Sequence, residues 1–287
     1  MTPVEVPFAL TRRVYYLGPE GSFSDILVSQ LFRTGFEPVL CGSFREVAAK
    51  LKEDPSAVGV LGIENSNSSD VHESIDIMFE ERFKIVGEAN LKIRMHLIGL
   101  TGARIEGIRE VYSHPQAILQ CADFIREHGL VAHATESTSA GKELIVSMGD
   151  GSKATIGSAA LAEGDNVEIL VSDIATVTQN MTRFICVSPT AQVVDNLNKK
   201  IDKLTYIFQL KHEPGSLAQV LSELAKRRVN LTKIQSRPIP GSDWEYVFWI
   251  DMEIPHTTEQ EVSRVLEDHA SNYTLLGAYE KGRIYGS

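Results

Sequence analysis

The five residues from Asn180 to Phe184 combine side chains that could act together on a small anionic molecule. An amide, a hydroxyl and a guanidinium (Asn180, Thr182 and Arg183) lie within four positions, and an apolar, strand-like run follows at 184–187. An Arg side chain offers a planar fork that matches a carboxylate, and a Thr hydroxyl both donates and accepts hydrogen bonds. These residue types suit a hydroxylated carboxylate. The alternative is a turn beside a surface charge.

Four further polar segments begin where a predicted strand ends. Functional side chains of α/β proteins project from such strand ends, and a helix start favours an anion through its free N–H groups. For two of the segments, an ordinary βα turn and simple helix capping are the alternatives. The segments are the turn 18–22, the strand end with Glu64 and Asn65, the helix start with Ser113 and Gln116, and the helix start with Ser137 and Thr138.

The composition is that of a soluble globular protein and argues against a nucleic-acid partner. Apolar residues make up 43% of the 287-residue chain and charged residues 23%, ordinary values for a chain of one to three domains. The formal net charge of -10 opposes binding to phosphate backbones, which needs a basic face. It does not oppose binding of an anionic metabolite, because a few local Arg side chains or backbone N–H groups suffice for that.

The cysteines and the apolar runs bear on the compartment. Cys41, Cys121 and Cys186 are odd in number, far apart and embedded in apolar stretches. We therefore expect buried thiols in a reducing compartment, with neither disulfides nor a metal site. No apolar run reaches the roughly 18 residues that a membrane span needs. Met1 to Arg13 lacks the apolar core of a signal peptide, so the prediction is a cytoplasmic protein without membrane contact.

Apolar runs with strand character alternate with amphipathic helical runs along residues 1–190. This alternation predicts an α/β fold with a largely parallel sheet and helices on both faces. We expect two lobes, lobe 1 at about 13–95 and 174–190 and lobe 2 at about 96–173. Small-molecule sites favour the cleft between such lobes.

Three individual elements are specific enough to be checked. The sequence predicts one long strand at 88–100, a helix that begins at Pro115, and a helix cap at Asp70. Pro suits the first position of a helix, and Asp is a preferred cap residue.

The order of predicted strands and helices changes after a polar, weakly periodic segment at 191–203, which we interpret as a linker. Residues 204–287 read as strand, helix, strand, strand, helix and strand. That order is the ferredoxin-like arrangement, and the length suits an independent domain.

Taken together, these segments resemble prephenate dehydratases, and the resemblance covers essentially the whole chain. Residues 213–217 and 235–238 resemble the two motifs that line the phenylalanine site of the ACT regulatory domain in that family. The order and approximate spacing match over 16–24, 63–66, 114–116 and 180–184.

The resemblance implies a catalytic domain at 1–190 that is two-lobed like a periplasmic binding protein, a linker at 191–203 and an ACT domain at 204–287. It implies conversion of prephenate to phenylpyruvate, water and CO2 in phenylalanine biosynthesis, without a metal or organic cofactor. The hydroxyl of Thr182 would assist departure of the ring hydroxyl, and Glu64 would support its loop. The groups that orient the substrate would be Arg183, Asn65, Ser113, Gln116, Ser137 and Thr138, with Asn180 and Phe184 also in the substrate site.

Phenylalanine would act as the effector at the ACT domain. Its site would be formed by Pro214, Gly215, Ser216 and Leu217 of one subunit and Gln235, Ser236, Arg237 and Pro238 of a partner. Edge-to-edge pairing of such domains hides sheet edges and makes a two-fold interface natural, so we expect a homodimer or homotetramer.

The chain departs from the family pattern at three positions that bear on substrate and regulation. Ser69 and Asp70 stand where the family has Gly and Ser, and Gln235 replaces a Glu of the regulatory motif. Asp70 adds negative charge near a dianionic substrate unless it faces away. Arogenate, which carries an amine in place of the keto oxygen, is therefore an alternative substrate. A cytoplasmic amino-acid sensor on the same fold is the non-catalytic alternative.

Overall fold

A computed structural model describes residues 13–32, 35–67, 69–164, 166–190, 200–239, 241 and 245–286. Most of the predicted linker at 191–203 lies outside the described residues, as do Arg33 and most of the predicted turn at 240–243. The described residues form three sheets, and two of the apolar clusters are shared: one joins lobe 1 to lobe 2, and the other joins lobe 1 to the C-terminal sheet.

The first lobe is built on a seven-stranded mixed sheet. Its strands are β1 (Arg13–Leu17), β2 (Glu37–Cys41), β3 (Val58–Asn65), β4 (Ser69–Asp70), β5 (Lys84–Lys92), β11 (Met181–Ser188) and β16 (Arg283–Gly286). The parallel pairs are β1 with β2, β1 with β3, and β16 with β5. The predicted α/β class is confirmed, but the expectation of a largely parallel sheet is wrong, because β11 runs antiparallel between β3 and β5.

Three helices cover this sheet: α1 (Phe23–Leu31), α2 (Phe44–Glu53) and α3 (His72–Glu81). Ser22 and Ser43 cap the first two by accepting a backbone N–H three residues on, which satisfies a donor that the helix leaves unpaired. The predicted cap at Asp70 is wrong. Asp70 belongs to β4, and α3 begins after Val71 without a side-chain cap.

The second lobe is a five-stranded mixed sheet with strand order β10-β6-β9-β7-β8. The predicted strand at 88–100 is two strands in different sheets, β5 and β6, so the chain crosses between the lobes there. The helix predicted from Pro115 is also divided, at Cys121. The elements are β6 (His96–Leu100), β7 (Glu110–Ser113), α4 (Pro115–Gln120), α5 (Ala122–Glu127), β8 (Val131–Ala134), α6 (Thr138–Met148), β9 (Lys153–Gly157) and β10 (Val167–Val171).

The C-terminal region has the predicted strand and helix order. Its four antiparallel strands lie in the order β13-β14-β12-β15. The elements are β12 (Lys203–Gln209), α7 (Ser216–Lys226), β13 (Asn230–Pro238), β14 (Tyr246–Glu253), α8 (Glu259–His269) and β15 (Asn272–Tyr279). This ferredoxin-like arrangement is therefore confirmed.

The two faces of the C-terminal sheet have different partners. Because side chains alternate along a strand, Tyr206 and Phe208 pack under α7 and α8, whereas Ile207 and Trp249 join the apolar cluster of lobe 1. The C-terminal sheet thus lies between its own helices and lobe 1.

The end of the chain returns to lobe 1. Strand β16 pairs in parallel with β5, and Gln30 of α1 donates to the carbonyl of Gly286 over 2.7 Å. The last strand within the domain expected at 204–287 therefore belongs to the sheet of lobe 1. The four residues of β16 have no distinctive pattern, so their sequence does not predict this pairing.

The cysteines are free and buried, as predicted. Burial raises the pKa of the Cys121 thiol to about 12, so it behaves as a core residue. Within the part of the chain that the structure describes, no helix is both long and apolar enough to cross a membrane. No group of three or more potential metal ligands is found among those residues.

Candidate active site

The two lobes meet along the carboxyl edges of their parallel strands. In lobe 1 this edge carries the turn after β1, and in lobe 2 it carries the residues after β7, β8 and β9. Ser139 donates to the carbonyl of Glu20 over 3.0 Å, and Ser158 donates to that of Gly21 over 3.2 Å. The region between these edges, which we call the interlobe cleft, is where α/β proteins bind ligands.

Three polar residues expected in the site lie together at this edge. Asn65, at the end of β3, pairs with Thr182 of β11 in the sheet register. Its Nδ2 donates to Thr182 Oγ1 over 2.8 Å and to Asn180 Oδ1 over 2.8 Å. Asn180 is almost completely buried, whereas Asn65 and Thr182 are partly exposed.

A backbone contact fixes the direction of these hydrogen bonds. The N–H of Asn67 donates to Asn65 Oδ1 over 2.9 Å, so this oxygen cannot be exchanged with Nδ2 without losing the bond. Nδ2 must therefore be the atom that faces Thr182. Because Thr182 Oγ1 accepts this bond, its own proton is available to another acceptor.

Lobe 2 contributes a residue that the sequence analysis did not identify. Asn180 Nδ2 donates to Gln120 Oε1, at the end of α4, over 3.0 Å. Gln120 thus extends the amide chain across the lobes. Its position inside a short helix gave no signal, because the partner is 60 residues away in sequence.

Arg183 lies on the opposite side of the strand from this amide chain. Its guanidinium is 7% exposed and pairs with Glu64 over 2.8 Å, Glu88 over 3.1 Å and Asp251 over 2.6 Å. The expectation that Arg183 receives a substrate carboxylate therefore stays a prediction, and in this structure the guanidinium is engaged elsewhere. Its fork is already occupied by three carboxylates, one of them from the C-terminal domain.

The charge on Arg183 is held by these neighbours. Burial opposes it, but the carboxylates of Asp251, Glu64 and Glu88 outweigh burial and keep the pKa of Arg183 above its ordinary value. Glu88 also accepts from Lys203 over 2.5 Å. The result is a buried ionic cluster between the catalytic and C-terminal sheets.

Glu64 supports its loop through ion pairs. Its second oxygen pairs with Lys233 of β13 over 2.7 Å, and Lys233 also pairs with Asp70. The Asp70 carboxylate therefore faces the C-terminal domain. Ser69, the neighbouring departure from the family pattern, has a side chain outside the described part of the structure.

Two other expected contact residues are buried away from the cleft. Ser113 is completely buried and donates to the carbonyl of Ile156 over 2.6 Å, which ties β7 to β9. Phe184 packs in the lobe 1 core against Gly62, where an added Cβ would lie 3.4 Å from the ring. In this structure both side chains are therefore engaged within the fold, and the two substrate contacts stay predictions.

The remaining expected residues lie at helix starts of lobe 2. Ser137 caps α6 by accepting the N–H of Ala140 over 3.0 Å. The N–H groups of Thr138 and Ser139 have no acceptor among the described residues. Gln116 lies in the first turn of α4, where its N–H donates to the ring of His114. The start of α6 therefore presents two donors and the positive end of the helix dipole to the cleft edge.

The residues expected at the effector site fall into two groups in one chain. Pro214, Gly215, Ser216 and Leu217 form the start of α7, where Gly215 adopts a left-handed backbone with φ of 88°. Gln235, Ser236, Arg237 and Pro238 lie along the edge strand β13. Arg237 pairs with Asp76 of α3 over 2.9 Å, so in one chain it faces the catalytic domain.

Comparison with known proteins agrees with this architecture. The family model described as prephenate dehydratase matches residues 14–192, and the model described as ACT domain matches residues 205–269. The first match alone covers more than half of the 287 residues.

Individual relatives span nearly the whole chain. A prephenate dehydratase of Methanocaldococcus jannaschii is 33% identical over 275 residues, covering 94% of this chain and 98% of the relative. An arogenate dehydratase/prephenate dehydratase of Arabidopsis thaliana is 30% identical, covering 93% of this chain and 72% of the relative.

A solved structure gives the same result in three dimensions. The structure of prephenate dehydratase from Arthrobacter aurescens in complex with L-Phe superimposes with a TM-score of 0.80 at 26% identity, covering 94% of this chain and 90% of that one. Together with the family model over residues 14–192, this places the chain in the prephenate dehydratase family of decarboxylating dehydratases, with a C-terminal ACT domain.

Proposed function

We propose that this protein converts prephenate to phenylpyruvate, water and CO2, with Thr182 as the hydrogen-bond donor to the departing hydroxyl. The ring C–C bond to the carboxylate breaks and CO2 leaves. Its electron pair completes the aromatic ring as the C–O bond to the hydroxyl breaks on the other side. The leaving oxygen takes a proton and departs as water. The proton comes in net from solvent, because the Thr182 hydroxyl ends the reaction protonated, and no oxidant or reductant is required.

The observation that carries this proposal is the 2.8 Å bond from Asn65 Nδ2 to Thr182 Oγ1. It leaves the Thr182 proton as the donor to the cleft, and accepting a bond makes a hydroxyl a better donor. A Thr hydroxyl is too weak an acid to titrate here. It acts as a positioned donor within a chain that Asn67, Asn65 and Asn180 hold in one direction.

The two carboxylates of prephenate need positive potential. Since Arg183 is committed to the C-terminal side, we assign this role first to the start of α6, with Ser137, Thr138 and the donors at its N-terminus. Helix N-termini are established anion sites through their free N–H groups and dipole. Gln116 lies at the same edge of lobe 2 and supplies an amide.

The test is a spectrophotometric assay of the purified protein with prephenate and arogenate offered separately. We expect phenylpyruvate from prephenate and lower turnover of arogenate. Asp70, the residue that could have favoured the amine of arogenate, pairs with Lys233 and faces the C-terminal domain. Faster turnover of arogenate would make this an arogenate dehydratase, and no turnover of either would support the amino-acid sensor.

We also infer that phenylalanine binds at the ACT domain across a homodimer or homotetramer. A cavity of about 120 Å³ beside Ser216 and Leu217, also lined by Tyr246 and Phe248, offers apolar and aromatic walls for the side chain. The partner would contribute Gln235 and its neighbours from the exposed edge strand β13. Light scattering of a dilution series with and without phenylalanine tests this, and a monomer under all conditions would contradict it.

A further inference from the structure

The short β3–β4 hairpin carries two carboxylates directly opposite each other. In the sheet register Glu64 pairs with Asp70, and Asn65 pairs with Ser69. Like charges in directly opposed positions destabilise a strand pair. This hairpin also contains the turn in which the Asn67 N–H holds Asn65 in the orientation that serves Thr182. Its geometry therefore bears directly on the proposed donor.

The cation that both carboxylates share comes from the C-terminal domain, and Glu64 also pairs with Arg183 of β11 over 2.8 Å. Lys233 of β13 is 8% exposed at its side chain and pairs with both Glu64 and Asp70. The next residue on the same face of β13, Gln235, is uncharged, and Leu231 lies across a bulge on the opposite face, with the apolar cluster under α7 and α8. One buried ammonium thus bridges two carboxylates on neighbouring strands and reduces the repulsion between them.

We propose that Lys233 is a positioning residue for the reaction. It closes the β3–β4 hairpin on Glu64 and Asp70 and thereby holds Asn65 against Thr182. The ACT domain then contributes to turnover, since removing Lys233 leaves Asp70 opposite Glu64 with only Arg183 to offset the two charges. Arg183 is already shared with Glu88 and Asp251, so the hairpin opens. This inference rests on the proposed role of Thr182.

The repulsion between Glu64 and Asp70 allows a positioning role of Lys233 to be distinguished from a general contribution to stability. If Lys233 acts by neutralising the pair, removal of one carboxylate must compensate for its loss. In Lys233→Met, we expect kcat to fall about 10- to 100-fold while KM stays within about twofold, because a small misplacement of a reacting group acts on turnover. Adding Asp70→Asn to Lys233→Met should restore most of kcat, and Lys233→Arg should retain most of it.

The matched control is Lys281→Met. Lys281 belongs to the same domain and pairs with Glu253 over 2.6 Å, but its side chain is 57% exposed and it contacts neither β3 nor β4. This variant should keep wild-type kcat. Wild-type kcat in Lys233→Met, an equal loss in Lys281→Met, or no rescue by Asp70→Asn would each overturn the proposal.

Two further results would also decide between the proposals for Lys233 and Thr182. If Lys233→Met fails to fold, the Lys233→Met/Asp70→Asn double variant decides the matter, because a folded and active double variant supports the proposal and an unfolded or inactive one overturns it. If Thr182→Ala keeps full activity, the proposed function of Thr182 fails. A loss in Thr182→Ala with no change in Lys233→Met defeats the Lys233 proposal alone.

Discussion

Thr182 and Arg183 are consecutive residues of one strand, and their side chains serve opposite faces of the sheet. Thr182 accepts a hydrogen bond from Asn65 at the interlobe cleft, whereas Arg183 pairs with Asp251 of the ACT domain over 2.6 Å. The alternation of a β-strand makes this division unavoidable. A displacement of the ACT sheet that moves Arg183 therefore acts on the residue next to the proposed donor.

Replacing the proposed donor should abolish most of the turnover. We expect Thr182→Ala to lower kcat by about 10²- to 10⁴-fold, the usual range for assistance by a positioned proton donor. Thr182→Ser, which keeps the hydroxyl, should retain much more activity. Steady-state kinetics with prephenate provides the measurement. Thr178→Ala, an exposed Thr on the same return segment, serves as the control and should match the wild type.

Reversing the polarity of the Asn65 contact should be nearly as harmful as removing the hydroxyl. In Asn65→Asp, the carboxylate accepts the Thr182 proton instead of donating to its oxygen, so the donor no longer faces the cleft. We expect kcat to fall about 10²-fold or more. Asn67→Asp makes the same chemical change at an exposed side chain and should remain active. Full activity of Asn65→Asp would show that the direction of this bond is irrelevant.

The backbones of the ACT sheet and of lobe 1 are in close contact, and adding a single methyl group to the ACT sheet tests this contact. A Cβ added at Gly277 of β15 would overlap the carbonyl oxygen of Ile85 in β5. We expect Gly277→Ala to lower the free energy of unfolding by about 1–3 kcal/mol, the usual cost of overpacking. Denaturant titration measures it. Gly107→Ala, where a Cβ meets nothing within 4 Å, is the control.

Stability should fall on mild acidification because of His96. Burial lowers the pKa of His96 from 6.5, with Asp173 opposing this shift and Arg94 adding to it. Its Nδ1 accepts the N–H of Asp173 over 3.3 Å, a contact that a protonated ring would lose. The unfolded chain therefore binds this proton more readily than the native state does. The contribution is complete above pH 6.5 and is lost as the pH falls through the lower folded value.

The measurement is the unfolding temperature of the wild type and of His96→Asn between neutral and mildly acidic pH. We expect the wild type to lose more on acidification than the variant does. His256→Asn, at an exposed position of the ACT domain, should follow the wild type. Equal acid sensitivity in all three proteins would contradict the role of His96.

The sequence alone determined the class of each region and the location of the proposed chemistry. Local rules suffice for these features. Ser137 marks a helix start because a hydroxyl there accepts an unpaired backbone N–H. The Asn–x–Thr spacing identified Asn180 and Thr182, and the polar end of a buried strand identified Asn65.

Only the tertiary structure decided which partner each side chain meets. Alternation along β11 follows from its sequence, but nothing local says that one face meets a cleft and the other meets Asp251. Three sets of contacts join residues more than 60 positions apart. They are the ion pair of Arg183 with Asp251, the ion pairs of Lys233 with Glu64 and Asp70, and the pairing of β16 with β5. Such contacts depend on how three sheets pack against one another. For that reason Arg183, which reads in the sequence as a substrate ligand, lies in the structure at the junction with the ACT domain.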